Sequence, residues 1–228
     1  MKRYIAFLRG VNISGRNKVT MAELKKGVER LGYEEVKIYL NSGNVIFSSD
    51  ENDIGSITKQ IVMTIKSQFD LDIPVFVIAK EELEDILQNA PDWWGNDDKE
   101  IYDNLIFIMP PVTFADVFNE IGGPKEELEK IQDYKEAIFW SFSRKNYQRT
   151  NWWSKTASAS ISNKLTIRTL TREQIAFFIY RFRFTKVRVR LYRCCSVPNR
   201  TRFALVFGKD LWLTASHVLQ PYKIRSIP

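Results

Sequence analysis

Apolar runs and amphipathic stretches alternate along the first 80 residues in an order that predicts strands and helices. Residues 4–8 are apolar and bounded by polar residues, as in a buried strand. The stretch behind them places its large apolar residues on one helical face: Met21, Leu24, Val28 and Leu31. Gly32 should end this helix, because glycine adopts the left-handed conformation after a helix without a steric cost.

Two β-rich runs at residues 35–40 and 45–47 surround a Ser-Gly turn and predict a hairpin. A helical pattern over residues 50–69 and a strand at 74–78 follow. This order of strand, helix, strand, strand, helix and strand is the split βαβ, or ferredoxin-like, plan. Because such crossovers are right-handed, the first two strands should finish at the same edge of the sheet. The loop 9–18 and the turn 41–44 are therefore expected to converge there.

The same order recurs, with little sequence likeness, in residues 101–171. Residues 80–88 predict a short helix, and residues 89–100 a polar connector in which Trp93 and Trp94 are expected to cover a domain junction. Strands are then predicted at 104–109, 137–142 and 165–167, helices from Thr113 to Ile121 and over 152–161, and a short polar segment at 126–131. The recurrence predicts an α+β protein of two ferredoxin-like (split βαβ) halves, related by a structural duplication.

The loop 9–18 joins the first strand to the N-terminus of the first helix. Thr20 followed by Glu23 is the capping-box pattern. In this pattern the Thr20 side chain accepts from a backbone N–H in the first turn of the helix, and the Glu23 side chain reaches back toward the start of the helix. Free N–H groups and the positive end of the helix dipole are presented there, with Arg9, Arg16 and Lys18 nearby. The loop therefore predicts an anion or phosphate site, although neither the Walker spacing nor G-x-G-x-x-G is present.

Eight residues of the loop and the turn are the candidate ligand-binding residues: Arg9, Gly10, Asn12, Gly15, Lys18, Ser42, Gly43 and Asn44. The two cations would neutralise the ligand, the glycines Gly10 and Gly15 would let the backbone approach it, and the amides and hydroxyl would orient it. In the alternative interpretation the glycines only turn the chain, the asparagines cap backbone groups, and the cations are solvated. Both interpretations remain open at this point.

Composition narrows the class of protein. The 228 residues are 44% hydrophobic and 27% charged, which is typical of a folded chain. A run of about 18 apolar residues is lacking, so we expect no membrane span and a cytoplasmic protein. The adjacent Cys194 and Cys195 offer neither a disulfide framework nor zinc spacing. The sole histidine is His217, so we expect no metal site, no cofactor and no histidine-based triad before it.

The net charge of +7 is not evenly distributed. Residues 1–167 hold 21 of the 34 Lys and Arg and 25 of the 27 Asp and Glu. Residues 168–228 hold the other 13 basic residues and only Glu173 and Asp210. The predicted domains are accordingly residues 1–88, with the loop, a connector at 89–100, a second ferredoxin-like domain at 101–171, and a basic, divergent tail at 172–228.

Several stretches of the chain carry a family resemblance. They are YIAFLRGVN at residues 4–12, NK at 17–18, MAEL at 21–24, SGNV at 42–45, APDWWGND at 90–97, NLIF at 104–107, IFWS at 138–141, WSK at 153–155 and TIR at 166–168. In these the chain resembles the bacterial domain of unknown function 1697 family, in the subgroup typical of Gram-positive bacteria. The resemblance implies a two-part α+β fold of ferredoxin-like character and supplies no activity.

The resemblance stops after Arg168. Family members usually continue with an Asn-Thr pair and a helix that completes the second domain, whereas residues 169–174 here read TLTREQ. Residues 181–193 alternate basic and apolar side chains, as in a strand with a cationic face that holds nucleic acid. A divergent packed module and a shift of the coding frame near Leu170 are the other two interpretations. A frameshift would leave the second domain without its closing helix.

Three functional hypotheses are compatible with these patterns. The first is binding of a phosphorylated or anionic small molecule at the loop. The second is single-stranded nucleic-acid binding through the tail and a sheet face bearing Tyr4, Tyr39 and Phe47, against which the acidic balance of residues 1–167 argues. The third is a transferase or hydrolase acting on a phosphorylated metabolite, for which the sequence shows no general base. Whether the protein is an enzyme is therefore left open.

Overall fold

The structure is a computed structural model that describes residues 1–13, 15–39, 43–95 and 98–169, and beyond them only the backbone of three short strands. Residues Met1–Arg181 form one compact unit, and Phe182–Pro228 form a second. Both predicted halves lie in the first unit, and the predicted domain boundaries at 88, 100 and 171 stay predictions. The chain is a mixed α/β protein with two four-stranded antiparallel sheets.

The first half is built from residues 2–79. Its elements are β1 (Lys2–Leu8), α1 (Met21–Glu29), β2 (Glu34–Tyr39), β3 (Asn44–Ser49), α2 (Ile54–Phe69) and β4 (Val75–Ala79). The strands lie in the order β2-β3-β1-β4, and all neighbours are antiparallel. Both helices cover one face of this sheet and bury the residues that the periodicity selects, among them Leu24, Val28, Ile57, Ile61 and Ile65.

The second half repeats this strand order. After α3 (Lys80–Gln88) its elements are β5 (Ile101–Ile108), α4 (Phe114–Ile121), β6 (Glu129–Tyr134), β7 (Ala137–Ser143), α5 (Asn151–Thr156) and β8 (Leu165–Thr169), with 3₁₀ turns at Tyr147–Arg149 and Ser160–Lys164. The strands lie in the order β6-β7-β5-β8, again with antiparallel neighbours. Its helix-covered core is formed around Trp140 and Trp152.

Aromatic side chains connect the two halves. The ring of Phe107 on β5 stacks on Phe7 of β1 and on Phe76 of β4, with centroids 4.9 Å apart in both pairs. Side chains alternate along β1, so Tyr4 packs with the helices while Phe7 points to the second half. Trp94 of the connector is buried against Phe139 and donates its indole N–H to the Asn104 carbonyl, 2.9 Å away.

The structure departs from the predicted elements at a helix cap, at the end of a helix and at a polar segment, and α2 begins at Ile54 instead of residue 50. Thr20 precedes α1 but makes no side-chain cap, so the predicted capping box there is wrong, whereas Thr113 and Asp116 form one at α4. The helix predicted over 152–161 is shorter, because α5 ends at Thr156 and a 3₁₀ turn follows. The polar segment at 126–131 leads into an edge strand, β6, whose outer side chains face solvent.

Of the basic tail, the structure describes only a small antiparallel sheet in the order β11-β10-β9. It consists of β9 (Tyr192–Arg193), β10 (Phe203–Phe207) and β11 (Leu211–Leu213). Most of the alternating segment predicted at 181–193 lies outside the described residues, as do residues 170–174, which follow the point where the resemblance stops. Within the described ranges, none of the helices combines the length and the apolar character that crossing a bilayer requires.

Candidate functional site

The loop after β1 is held by its own backbone and by its asparagines. Asn12 donates its side-chain N–H to the Val19 carbonyl at 3.0 Å and accepts from the Val19 N–H at 2.9 Å. Asn17 donates to the Gly10 carbonyl at 3.0 Å, and the backbones of Asn12 and Asn17 are bonded at 3.1 Å. Both asparagines have positive φ, which asparagine tolerates better than most residues. The side-chain amides of Asn12 and Asn17 therefore hold the loop in its conformation.

The loop and the β2–β3 turn converge, as the order of elements predicts. The Leu8 N–H donates to the Gly43 carbonyl at 2.8 Å. Gly43 lies against the side chains of Leu8 and Val11, and its φ is +72°. Glycine is needed here because a Cβ would lie 2.6 Å from Val11 Cγ2 and 2.8 Å from Leu8 Cβ.

Replacing Gly43 with alanine is expected to lower the free energy of unfolding by about 2 kcal/mol, from the left-handed backbone and the steric overlap together. Gly15→Ala is the matched control. Its φ is +76°, yet no described atom lies within 4 Å of the added Cβ, so it should lose only about 1 kcal/mol. Urea unfolding of the full chain measures both variants. Equal losses would contradict close packing at Gly43.

Two arginines form hydrogen bonds between the halves, and each donates to a strand of the other half. Arg9 Nε of the first half donates to the Leu165 carbonyl of β8 at 2.9 Å. Arg168 of β8 donates in return to the Leu8 carbonyl at 2.8 Å and to Asn44 Oδ1 at 3.0 Å. These partners are separated by 124 to 160 positions in the sequence. Asn44, expected to orient a ligand, thus orients Arg168.

Arg168 is a half-buried cation. Burial lowers the pKa of its guanidinium to about 10, so the group stays protonated at neutral pH but at a cost. Its remaining contacts are Thr166 Oγ1, the Ile167 carbonyl and the ring of Phe7, whose centroid is 5.2 Å away. Within the described residues, no carboxylate pairs with Arg168.

A cavity of about 700 Å³ opens beside these contacts. From the loop it is lined by Arg9, Gly10, Ile13, Arg16 and Asn17. From the second half it receives residues of α5, the following 3₁₀ turn and β8, including Thr156, Ser162, Thr166, Ile167 and Arg168. Three arginines, two threonines, a serine and an asparagine therefore line one space, and the three cations make it suited to holding an anion.

The structure brings together only part of the predicted site. Arg9 and Gly10 line the cavity. Asn12 and Asn44 are engaged in the contacts described above, Gly43 is packed below the loop, and Gly15 and Lys18 are exposed outside the described lining. Ser42 lies outside the described residues. The residues of α1 do not appear in the described lining either, so its N-terminus is not part of this cavity.

The aromatic residues considered for stacking nucleic-acid bases are mostly buried. Tyr4 is 1% exposed and Phe47 is fully buried. They stack on each other, with centroids 5.8 Å apart, beneath the helices of the first half. Tyr39 is half-buried. The predicted aromatic face is thus wrong for Tyr4 and Phe47, because the face on which they lie is the one that the helices cover.

Comparison with known proteins places the chain in a family. The family model described as "Protein of unknown function (DUF1697)" matches residues 1–139. The chain belongs to the DUF1697 family. The solved structure of the conserved bacterial protein SP0830 from Streptococcus pneumoniae is similar to this DUF1697 chain, with a TM-score of 0.67 and 26% sequence identity. The similarity covers 78% of this chain and 96% of that one. Among curated proteins, none matches.

Sequence reasoning did not select Arg168 as a site residue of this DUF1697 protein. It noted Arg16 only as a nearby cation, and it did not consider Ser162 or Thr166. No local sequence pattern indicates these residues, because the cavity forms only where the loop meets β8. In the described part of the chain, no cluster of three or more His, Cys, Asp or Glu has the arrangement of a metal site.

Proposed function

We propose that the protein binds a phosphorylated or otherwise anionic small molecule in the cavity between the loop after β1 and strand β8. The observation that carries this proposal is Arg168, a half-buried guanidinium that lines the cavity and has no carboxylate partner in the described residues. An anion that enters would offset the cost of holding this charge away from water.

Arg9 and Arg16 strengthen this argument. Arg9 uses its Nε to bond the Leu165 carbonyl, which fixes its guanidinium at the cavity wall. Arg16 lies across the loop from Ile13, held by a backbone bond of 2.9 Å. Charge-assisted hydrogen bonds to phosphate or carboxylate are about twice as strong as neutral ones, and arginine makes them with defined geometry. Neutralisation is thereby assigned to Arg9, Arg16 and Arg168 rather than to Lys18.

The alternative, single-stranded nucleic-acid binding, now depends on the basic tail and on Tyr39, since Tyr4 and Phe47 are buried. Salt dependence distinguishes the two functions. Each phosphate that a protein neutralises along a nucleic-acid strand contributes to a steep fall of affinity with salt. A compact pocket that takes one anionic group should show a much weaker dependence. Titrating a short RNA and AMP at two salt concentrations separates these cases.

Arg16→Gln is expected to weaken binding of inorganic phosphate, a sugar phosphate and AMP about tenfold, since one charge-assisted contact is lost. Lys18→Gln is the matched control, because it removes the same charge two residues away but outside the described lining. It should change affinity less than about twofold by long-range attraction alone. Isothermal titration of the full chain measures these dissociation constants.

Either of two results would contradict the proposed function. The first is that none of these probes binds the wild-type chain. The second is that the two variants weaken binding equally, which would indicate a diffuse electrostatic effect instead of a site.

We also infer that both halves are ferredoxin-like and arose by duplication. The identical strand order and the equivalent antiparallel pairings support this. Membership of the Gram-positive subgroup is supported by the similarity to the Streptococcus protein. Cytoplasmic location stays a prediction from composition.

A further inference from the structure

The cavity also has an apolar wall. Ile13 at the tip of the loop is 60% exposed, Ile167 on β8 is 38% exposed, and both line the cavity. They are two of the six large hydrophobic side chains that stay exposed among the described residues. Leu165 and Ala157 add to the same lining. Apolar surface gathered in a concave site is typical of a place that receives an apolar group.

Each exposed isoleucine is adjacent to an arginine that lines the cavity. Ile13 pairs with Arg16 across the bridge at the loop tip, and Ile167 directly precedes Arg168 in β8. On the loop side the cavity therefore combines a cation with an aliphatic side chain, whereas on β8 successive side chains point to opposite faces, so Ile167 and Arg168 line the cavity from the two sides of the strand. A ligand whose anionic group reaches the arginines brings the rest of its structure against Ile13, and a body that extends to the edge of β8 also reaches Ile167.

We infer that the ligand is an amphiphilic anion, namely a phosphate or carboxylate attached to a compact aromatic or aliphatic body. This inference rests on the proposed function and adds the class of ligand to it. A cavity of about 700 Å³ lies within the usual range for small-molecule sites and is larger than a bare phosphate requires. An ion alone would leave both isoleucines in water.

The test compares inorganic phosphate, 1-naphthyl phosphate and uncharged 1-naphthol by isothermal titration of the full chain. We expect naphthyl phosphate to bind at least about tenfold more tightly than inorganic phosphate, because burying the ring against apolar side chains is favourable. Naphthol, which lacks the anionic group, should bind most weakly of the three.

Ile13→Thr and Ile167→Thr should each reduce this preference about threefold, since less apolar area is buried against the ring. Threonine keeps the β-branched shape that strands favour, and the affinity for inorganic phosphate should not change. Met63→Gln is the matched control. Met63 is also 60% exposed, but it lies on α2 outside the described lining, so its variant should keep the full preference.

Two results would overturn this inference and leave the proposed function standing. The first is equal affinity for inorganic phosphate and 1-naphthyl phosphate. The second is a preference for naphthyl phosphate that persists in the double variant Ile13→Thr, Ile167→Thr. Tighter binding to vesicles of phosphatidic acid than to naphthyl phosphate would overturn the compact body in favour of a lipid. Failure of both phosphates to bind, or naphthol binding as tightly as naphthyl phosphate, would instead contradict the proposed function itself.

Discussion

Replacing Arg168 with methionine is expected to lower the free energy of unfolding by about 3 kcal/mol, because two buried acceptors lose their charged donor. Those acceptors are the Leu8 carbonyl and Asn44 Oδ1, both in the first half, while Arg168 belongs to the second. Methionine fills much of the space and can still contact the Phe7 ring, so the loss reports the hydrogen bonds and the charge. Relief of the buried charge offsets part of it.

Urea unfolding of the full chain, followed by tryptophan fluorescence, measures this loss. Arg144→Met is the matched control. Its guanidinium stacks on Tyr102 at 4.2 Å but is exposed, so about 0.5 kcal/mol should be lost. The loss in free energy of unfolding for Arg168→Lys should lie between those of the other two variants, since lysine keeps the charge but cannot reach several acceptors at once. Similar losses for Arg168→Met and Arg144→Met would show that the hydrogen bonds of Arg168 between the halves contribute little to stability.

The largest loss, about 4 kcal/mol, is expected for Glu129→Ala, because several buried N–H donors would be left without an acceptor. Glu129 is 2% exposed at the start of β6. Its carboxylate accepts from the Trp140 indole at 3.0 Å and from the backbone N–H of Asn151 at 2.6 Å and Trp152 at 3.3 Å. It thereby joins β6, β7 and the first turn of α5, where the helix dipole also favours a negative charge.

Glu129→Gln keeps the shape of the side chain but turns an N–H₂ group toward these donors. It should therefore lose about 2 kcal/mol rather than nothing. Glu127→Ala, an exposed change two residues earlier, should stay within about 0.5 kcal/mol of wild type. The same urea titration compares the three. If Glu129→Ala behaves like Glu127→Ala, the carboxylate does not organise the second half.

Most helices and strands were predictable because burial on one face imposes a regular spacing. The period of α2 places Ile57, Ile61 and Ile65 in the core, and the prediction differs from the observed helix mainly at its start, where Asp53 caps it. Edge strand β6 was missed because an edge strand can be polar on its outer face. The capping box predicted at Thr20 does not form, and the motif expresses only a local preference.

The candidate site was predictable only in its first-half component. Arg9 and Gly10 follow a buried strand, and their place at the sheet edge follows from the order of the elements. The roles of Asn12 and Asn44 were not predictable. A side-chain amide serves a ligand or the backbone equally well, and only the neighbouring atoms decide which.

The sequence alone determined the element order of the first half, the convergence of the loop with the β2–β3 turn, the family, and the confinement of the excess positive charge to residues after 167. These features depend on local periodicity, on the handedness of crossovers and on composition, all of which can be read from the order of residues. Only the tertiary structure brought Arg168 to Leu8 and opened a cavity between β8 and the loop. The packing of one half on the other joins residues about 160 positions apart, a separation to which no spacing rule applies.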